Sequence, residues 1–220
     1  MSLLNDAMGA IPMTYAALFP VLNPLGFAFV FLALTDRLSG EARKRLSRKI
    51  AINTFVLLTL VLWVGEWVLR FFGVTIPIVQ IAGGLVVSSI GWILMNQSGD
   101  ADASKGKAIM TEKEADEQAF FPLTMPLTAG PGCIAVALTI GAHESFNAIN
   151  PALASKMGAM VGIFLAALTV YFSYAYADRI THKLGTAGTK VITKLSAFII
   201  FCIGLTIFWH GLRELIPVLS

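Results

Sequence analysis

Charge is scarce in this chain of 220 residues: 13% are Asp, Glu, Lys or Arg, well below the roughly 25% of an average soluble domain. That shortage, with 56% hydrophobic residues and a mean hydropathy of +0.76, excludes a surface facing water on all sides and predicts an integral membrane protein. Cysteine is scarcer still. Cys133 and Cys202 both fall in apolar segments and form no C-x-x-C pair, which argues against a disulfide framework and a zinc site. His143, His182 and His210 show no H-E-x-x-H spacing, so no metal is expected. There is no G-x-S-x-G and no pair of mid-span aspartates. Without a cluster of acid, base and nucleophile, neither enzyme activity nor a cofactor is expected. The N-terminus MSLLNDAMGA has no basic stretch, so the first apolar run is expected to remain as a span.

Long apolar runs are what the chain has instead. Windows able to cross a hydrocarbon core of about 30 Å occur at roughly 9–34, 50–71, 76–96, 119–142, 152–176 and 191–214. The expected fold is therefore all-α, with six transmembrane helices. The net charge of +3 does not point to nucleic acid, because Lys and Arg lie in short segments between the runs. Thirteen of them follow the first, third and fifth spans (for example Arg37, Arg43, Lys44, Lys105, Arg179 and Lys194), against Arg70, Lys156 and Arg213 on the other side. That asymmetry predicts cytoplasmic odd-numbered connections and both termini outside. Trp63, Trp67 and Trp209 would form an outer aromatic belt, with Trp92 nearer the inner face. The charged stretch 97–118 reads as a cytoplasmic linker between residues 1–96 and 119–220.

Those two parts carry a repeat. FPVLNPLG (Phe19 to Gly26) and FPLTMPLTAG (Phe121 to Gly130) share F-P-x-x-x-P-L at an offset of 102 residues. IAGGLVVSSIG in the third span and LSAFIIFCIG in the sixth are looser matches. Three spans per copy is an odd number, so the second copy would enter the membrane from the opposite side, giving two inverted three-helix repeats.

Proline removes a backbone N–H and suits the first position of a helix. Spans one and four are therefore expected to break near the bilayer centre, with Asn23 or Gly130 as N-cap before Pro24 or Pro131. Free amides at two half-helix N-termini suit a carboxylate, and freed carbonyls with Asn23 suit an ammonium group. A small zwitterion meets both requirements. The candidate site is Asn23, Pro24 and Gly26 at the first break, and Thr124, Thr128, Gly130, Pro131 and Gly132 at the second. Gln80, Gly83 and Gly84 of span three border it. Glu66 is the one carboxylate within a predicted span and pairs in sequence with Arg70 at i,i+4. Ala154, Gly158, Gly162 and Ala166 form a small-residue ridge assigned to packing.

NPLG with FLALT (Phe31 to Thr35), IAGGLVVSSIG and PLTAGPGCIA together resemble the MarC family of multi-pass inner-membrane proteins, over essentially the whole chain. The resemblance implies six helices in two inverted repeats and transport of small neutral amino acids such as alanine and glycine, often as export. The chain departs from many relatives in having Phe27 and Phe29 in GFAFVF, where they carry a polar residue and then a proline. The expected function is a secondary transporter of small neutral amino acids with alternating access at the two breaks; the rival is a passive channel for small polar solutes. Exact substrate, direction, coupling to H⁺ or Na⁺ and oligomeric state stay open at this point.

Overall fold

The computed structural model describes residues 2–35, 38–96, 112–143 and 149–215. Among these residues every regular element is helical: α1 (Ser2–Leu22), α2 (Pro24–Leu34), α3 (Gly40–Phe71), α4 (Ile76–Asn96), α5 (Glu112–Glu117), a wide π-type stretch (Ala119–Thr128), α6 (Pro131–His143), α7 (Ile149–Ala175) and α8 (Ala177–Leu215). Five stretches are long and apolar enough to cross a membrane: Asp6–Leu32, Gly40–Gly65, Ile76–Ile93, Leu153–Ala175 and Ala197–Leu215. The expected fourth span is instead divided into the π-type stretch and α6, whose apolar part, Pro131–Gly141, is short.

Helix ends follow local chemistry. Ser39 caps α3 by accepting from the Ala42 amide at 3.2 Å, with Glu41 in the first turn and Arg70 in the last complementing the helix dipole. Gly73, at φ 67°, provides the left-handed turn toward α4. α3 and α8 begin at Gly40 and Ala177, about a dozen residues before the apolar windows, because Lys- and Arg-rich sequence continues a helix readily. Residues 97–111 of the expected linker lie outside the described residues, while its end folds as α5. There Ala115 is buried and Asp116 pairs with Lys49 at 2.8 Å. Both side chains of that pair are nearly half exposed, so it adds little stability.

Glycines set the closest helix contacts. The ridge on α7 lies on α1: a methyl at Gly162 would sit 2.8 Å from the Ile11 carbonyl, and one at Gly158 would strike that of Ala7. Tyr15 and Thr169 bond at 3.2 Å further along the same pair. The ridge therefore serves an internal contact. α3 crosses α7 through Phe55 on Phe164, with ring centroids 5.9 Å apart, and through Trp63 Nε1 donating to Met160 Sδ at 3.2 Å. Gly141 of α6 meets the Leu62 carbonyl at 2.5 Å by the same measure.

The tightest pair is α4 on α8. A methyl on Gly84 would lie 2.7 Å from the Gly204 carbonyl, and one on Gly204 would lie 2.9 Å from that of Gly84. Seven residues on, Gly91 faces the Ala197 carbonyl at 2.9 Å and Gly211 faces that of Pro77 at 2.6 Å. Each contact has a counterpart with the two helices exchanged, as two antiparallel helices related by a local two-fold would give. Trp67, Trp92 and Trp209 are exposed on the outside, whereas Trp63 is half-buried under Lys156, 5.7 Å away.

The parts before and after the linker do not form separate layers. α4 packs on α8, α1 on α7, and α3 on α6 and α7. A single buried cluster draws Leu18, Phe31, Leu46 and Leu58 from the first part and Leu123, Ile163, Val170 and Tyr174 from the second. Neither part closes a core alone.

Candidate functional site: two helix breaks around one pocket

At the first break Asn23 stands between α1 and α2 at φ 41°, ψ 56°, a left-handed conformation that asparagine tolerates better than most residues. Its Oδ1 accepts from the Gly26 amide at 3.2 Å. Its own amide donates to the Phe19 carbonyl, and its carbonyl accepts from Phe27, each at 3.0 Å. Pro24 then opens α2 at the position where a missing N–H costs nothing. Gly26 is needed because a Cβ would lie 2.8 Å from Asn23 Oδ1. Asn23→Ala is expected to cost about 1–2 kcal/mol, since both cap and left-handed tolerance are lost, and Asn23→Gly only a few tenths. Thermal unfolding of the two purified variants checks the order.

The second break is longer. Phe121 and Met125 are extended (φ −124°, ψ 122° and φ −118°, ψ 121°), as residues before proline are when the ring excludes the helical region. Pro122 and Pro126 supply no N–H, which would leave carbonyls one turn earlier unpaired. The chain compensates with five-residue bonds: Leu123 N–H to Gln118 O at 3.2 Å and Ala129 N–H to Thr124 O at 2.7 Å. Two hydroxyls act likewise, Thr124 on Ala119 O and Thr128 on Leu123 O, each at 2.7 Å. Each hydroxyl is thereby satisfied inside its own wide turn, as apolar surroundings demand. After Ala129 and Gly130, Pro131 opens α6, and the Cys133 and Ile134 amides donate to Gly130 O at 3.0 and 3.2 Å.

The breaks meet at one small pocket. Val21 and Phe27 line it from either side of the first break, and Leu127, Thr128, Gly130, Gly132 and Cys133 from the second. Val87 of α4 and Ile200 of α8 complete the wall. Gly132 is where the parts touch: a methyl there would reach Val21 at 3.1 Å and strike Val87. Phe27 makes the first half of the pocket apolar, so polarity is concentrated at Thr128 and the glycine backbone.

The structure therefore brings Thr128, Gly130 and Gly132 together at the pocket, with Pro131 heading α6, while Asn23, Pro24 and Gly26 shape the first break between the lining residues Val21 and Phe27. Thr124 instead donates to the Ala119 carbonyl, and Gly84 meets α8. Gly83 faces Ala135 of α6, and Gln80 bonds Thr139 at 3.3 Å, both further along α6. The side chains of Glu66 and His182 are outside what the structure describes, as are residues 105–107. Among the described residues no group of His, Cys, Asp or Glu could hold a metal ion.

Sequence reading missed Tyr174, which is fully buried on α7. Its ring stacks on Phe31 of α2, with centroids 4.6 Å apart and planes 15° from parallel. Its hydroxyl lies 3.0 Å from Thr128 Oγ1. The Thr128 hydrogen is committed to Leu123 O, so the phenol donates. One side chain thus ties the half-helix after the first break to the last residue before the second.

A family model described as "MarC family integral membrane protein" matches residues 8–216. The chain is 30% identical over 215 residues to the "UPF0056 inner membrane protein MarC" of Escherichia coli O157:H7, covering 96% of this chain and 97% of that protein. The protein of the same name from E. coli strain K12 / DH10B is 29% identical over the same shares. No solved structure matches. With all but its ends matched by the family model and relatives aligned along nearly their full length, the chain belongs to the MarC family of integral membrane proteins.

Proposed function

We propose that this protein is a secondary transporter of small neutral amino acids such as alanine and glycine, resident in the inner membrane, with alternating access around the pocket between the two breaks. The observation that carries the reading is the meeting of two proline-headed half-helices, α2 and α6, at one small pocket. α6 begins at the pocket wall, beside Gly130 and Gly132, where amides and the positive dipole end favour a carboxylate, and α2 contributes Phe27 from its first turn. The pocket's glycines allow close backbone approach, and its apolar remainder suits a short side chain.

The inverted repeat belongs to the same proposal. It is supported by the exchanged contacts of α4 and α8 about Gly84 and Gly204, and by the matching of α1 and α2 on α7 with the π-type stretch and α6 on α3. Movement of one repeat against the other would then open the pocket to alternate sides. Both termini outside, no enzymatic activity, and the bilayer and a small amino acid as partners, without nucleic acid, complete the reading.

Counterflow tests it. Proteoliposomes preloaded with unlabelled alanine are expected to accumulate labelled alanine and glycine. Gly130→Leu is expected to lower that uptake at least 100-fold at near-normal membrane expression, because the leucine fills the pocket. An open pore would give no accumulation, and retained transport in the variant would remove Gly130 from the path. Repeating uptake under H⁺ and Na⁺ gradients identifies a coupling ion.

A further inference from the structure

Two turns beyond the second break, one buried polar atom lacks the partner its chemistry requires. Gln80 on α4 is 5% exposed, and its Nε2 donates to Thr139 Oγ1 at 3.3 Å. The orientation of the amide follows from Thr139, whose single hydrogen goes to Ala135 O at 2.9 Å. The threonine oxygen can therefore only accept, and Gln80 must turn its NH₂ toward it. Gln80 Oε1 is left buried without a hydrogen bond among the described residues.

The hydroxyls of Thr54 and Thr59 share that condition, but they carry less information. A hydroxyl can rotate its hydrogen onto a carbonyl one turn earlier, as Thr139, Thr169 and Thr206 do. An amide oxygen has no hydrogen to give, and amides inside the surrounding helices are engaged in their own ladders. It needs a donor or a cation from elsewhere.

Gln80 sits where three helices converge. A methyl on Gly83, one turn along α4, would lie 2.7 Å from Ala135 Cβ of α6, and one on Gly211 of α8 would lie 2.8 Å from Gln80 Cβ. Seven residues of α6 separate Gly132 at the pocket from Thr139, about 10 Å at 1.5 Å per residue. A molecule the size of alanine cannot reach both. The oxygen therefore belongs to a different position from the pocket.

We propose that Gln80 Oε1 marks a second ligand subsite, enclosed by α4, α6 and α8, that takes a small cationic group. The group is the ammonium of a transiting amino acid or a Na⁺ ion. An amide oxygen in a low-dielectric interior is a strong partner for either. The subsite's role in transport rests on the function proposed above, whereas its binding chemistry does not.

The full-length protein in detergent provides the test, read as the shift in unfolding midpoint with methylammonium, alanine or Na⁺ added, and choline as the control without an N–H. At least one probe is expected to raise the wild-type midpoint, with the shift abolished in Gln80→Leu. Methylammonium and alanine acting without Na⁺ identify the ammonium, and Na⁺ acting alone identifies the ion. Equal shifts in wild type and Gln80→Leu, or none in wild type for any probe, overturn the subsite.

Should the leucine variant fail to fold, Gln80→Glu decides, since its carboxylate still accepts. At least a twofold lower half-saturating concentration supports the proposal, and an unchanged or weaker response overturns it. In counterflow, Gln80→Leu is expected to raise the half-saturation for alanine at least tenfold. Gln80-dependent shifts in a protein without counterflow would sink the transport reading and keep the subsite.

Discussion

Gly84→Leu is expected to abolish folding. At this position the neighbour is backbone, with the Gly204 carbonyl 2.7 Å from where a first methyl would stand and the Phe208 Cα at the same distance. A side chain beside a flexible neighbour can be accommodated by a rotamer change, but backbone inside a regular helix cannot turn away. α8 would have to separate from α4 along its length, giving up the tightest contact in the molecule. Overpacking in a core usually costs about 1–3 kcal/mol, and a displaced helix places this variant beyond the exceptional threshold of about 4–5 kcal/mol. Size-exclusion profiles of detergent-solubilised protein should show loss of the monodisperse peak, with Gly84→Ala intermediate. Gly9, where an added methyl meets nothing within 4 Å, is the control, and Gly9→Leu should behave as wild type. A normal profile for Gly84→Leu would mean that α4 and α8 do not meet backbone to backbone.

Tyr174→Ala is the second large effect. The ring is completely buried between Phe31 and Thr128, so its removal opens a cavity and cancels a stack, at an expected cost of about 3–5 kcal/mol. Tyr174→Phe separates the two contributions: it keeps the stack and loses one hydrogen bond, at about 1 kcal/mol. The phenylalanine variant should therefore unfold close to wild type. If Tyr174 positions the second break, its counterflow should fall far more than its stability does. Transport and stability declining together would confine the residue to packing.

The breaks were legible because proline and glycine act locally. Asn23-Pro24 and Gly130-Pro131 announce a helix start wherever they occur, and both starts are found there. What surrounds them was less legible. Thr124 and Thr128 read as polar site candidates, and only the structure shows that their hydroxyls also donate to the Ala119 and Leu123 carbonyls of their own wide turns. Tyr174 gave no signal at all. An aromatic residue in a span resembles any other until its neighbours on distant helices are known. The glycine motifs illustrate a third limit. IAGGLVVSSIG and LSAFIIFCIG end on Gly91 and Gly204, but the contacts relate Gly84 to Gly204 and Gly91 to Gly211, one heptad away. A glycine every seven residues leaves such a register ambiguous in sequence.

The interlocking of the two parts has a consequence for biosynthesis. Since α1, α3 and α4 find their packing partners on α6, α7 and α8, the first three helices enter the bilayer before anything exists for them to pack against. About a hundred further residues must be made, roughly 5–20 s of translation at the usual rate. Through that interval the faces around Gly84 and Gly91 are open to lipid or to an insertion factor that shields them. A chain severed within residues 97–111 should accordingly yield two fragments that are degraded when made singly and rescued when made together.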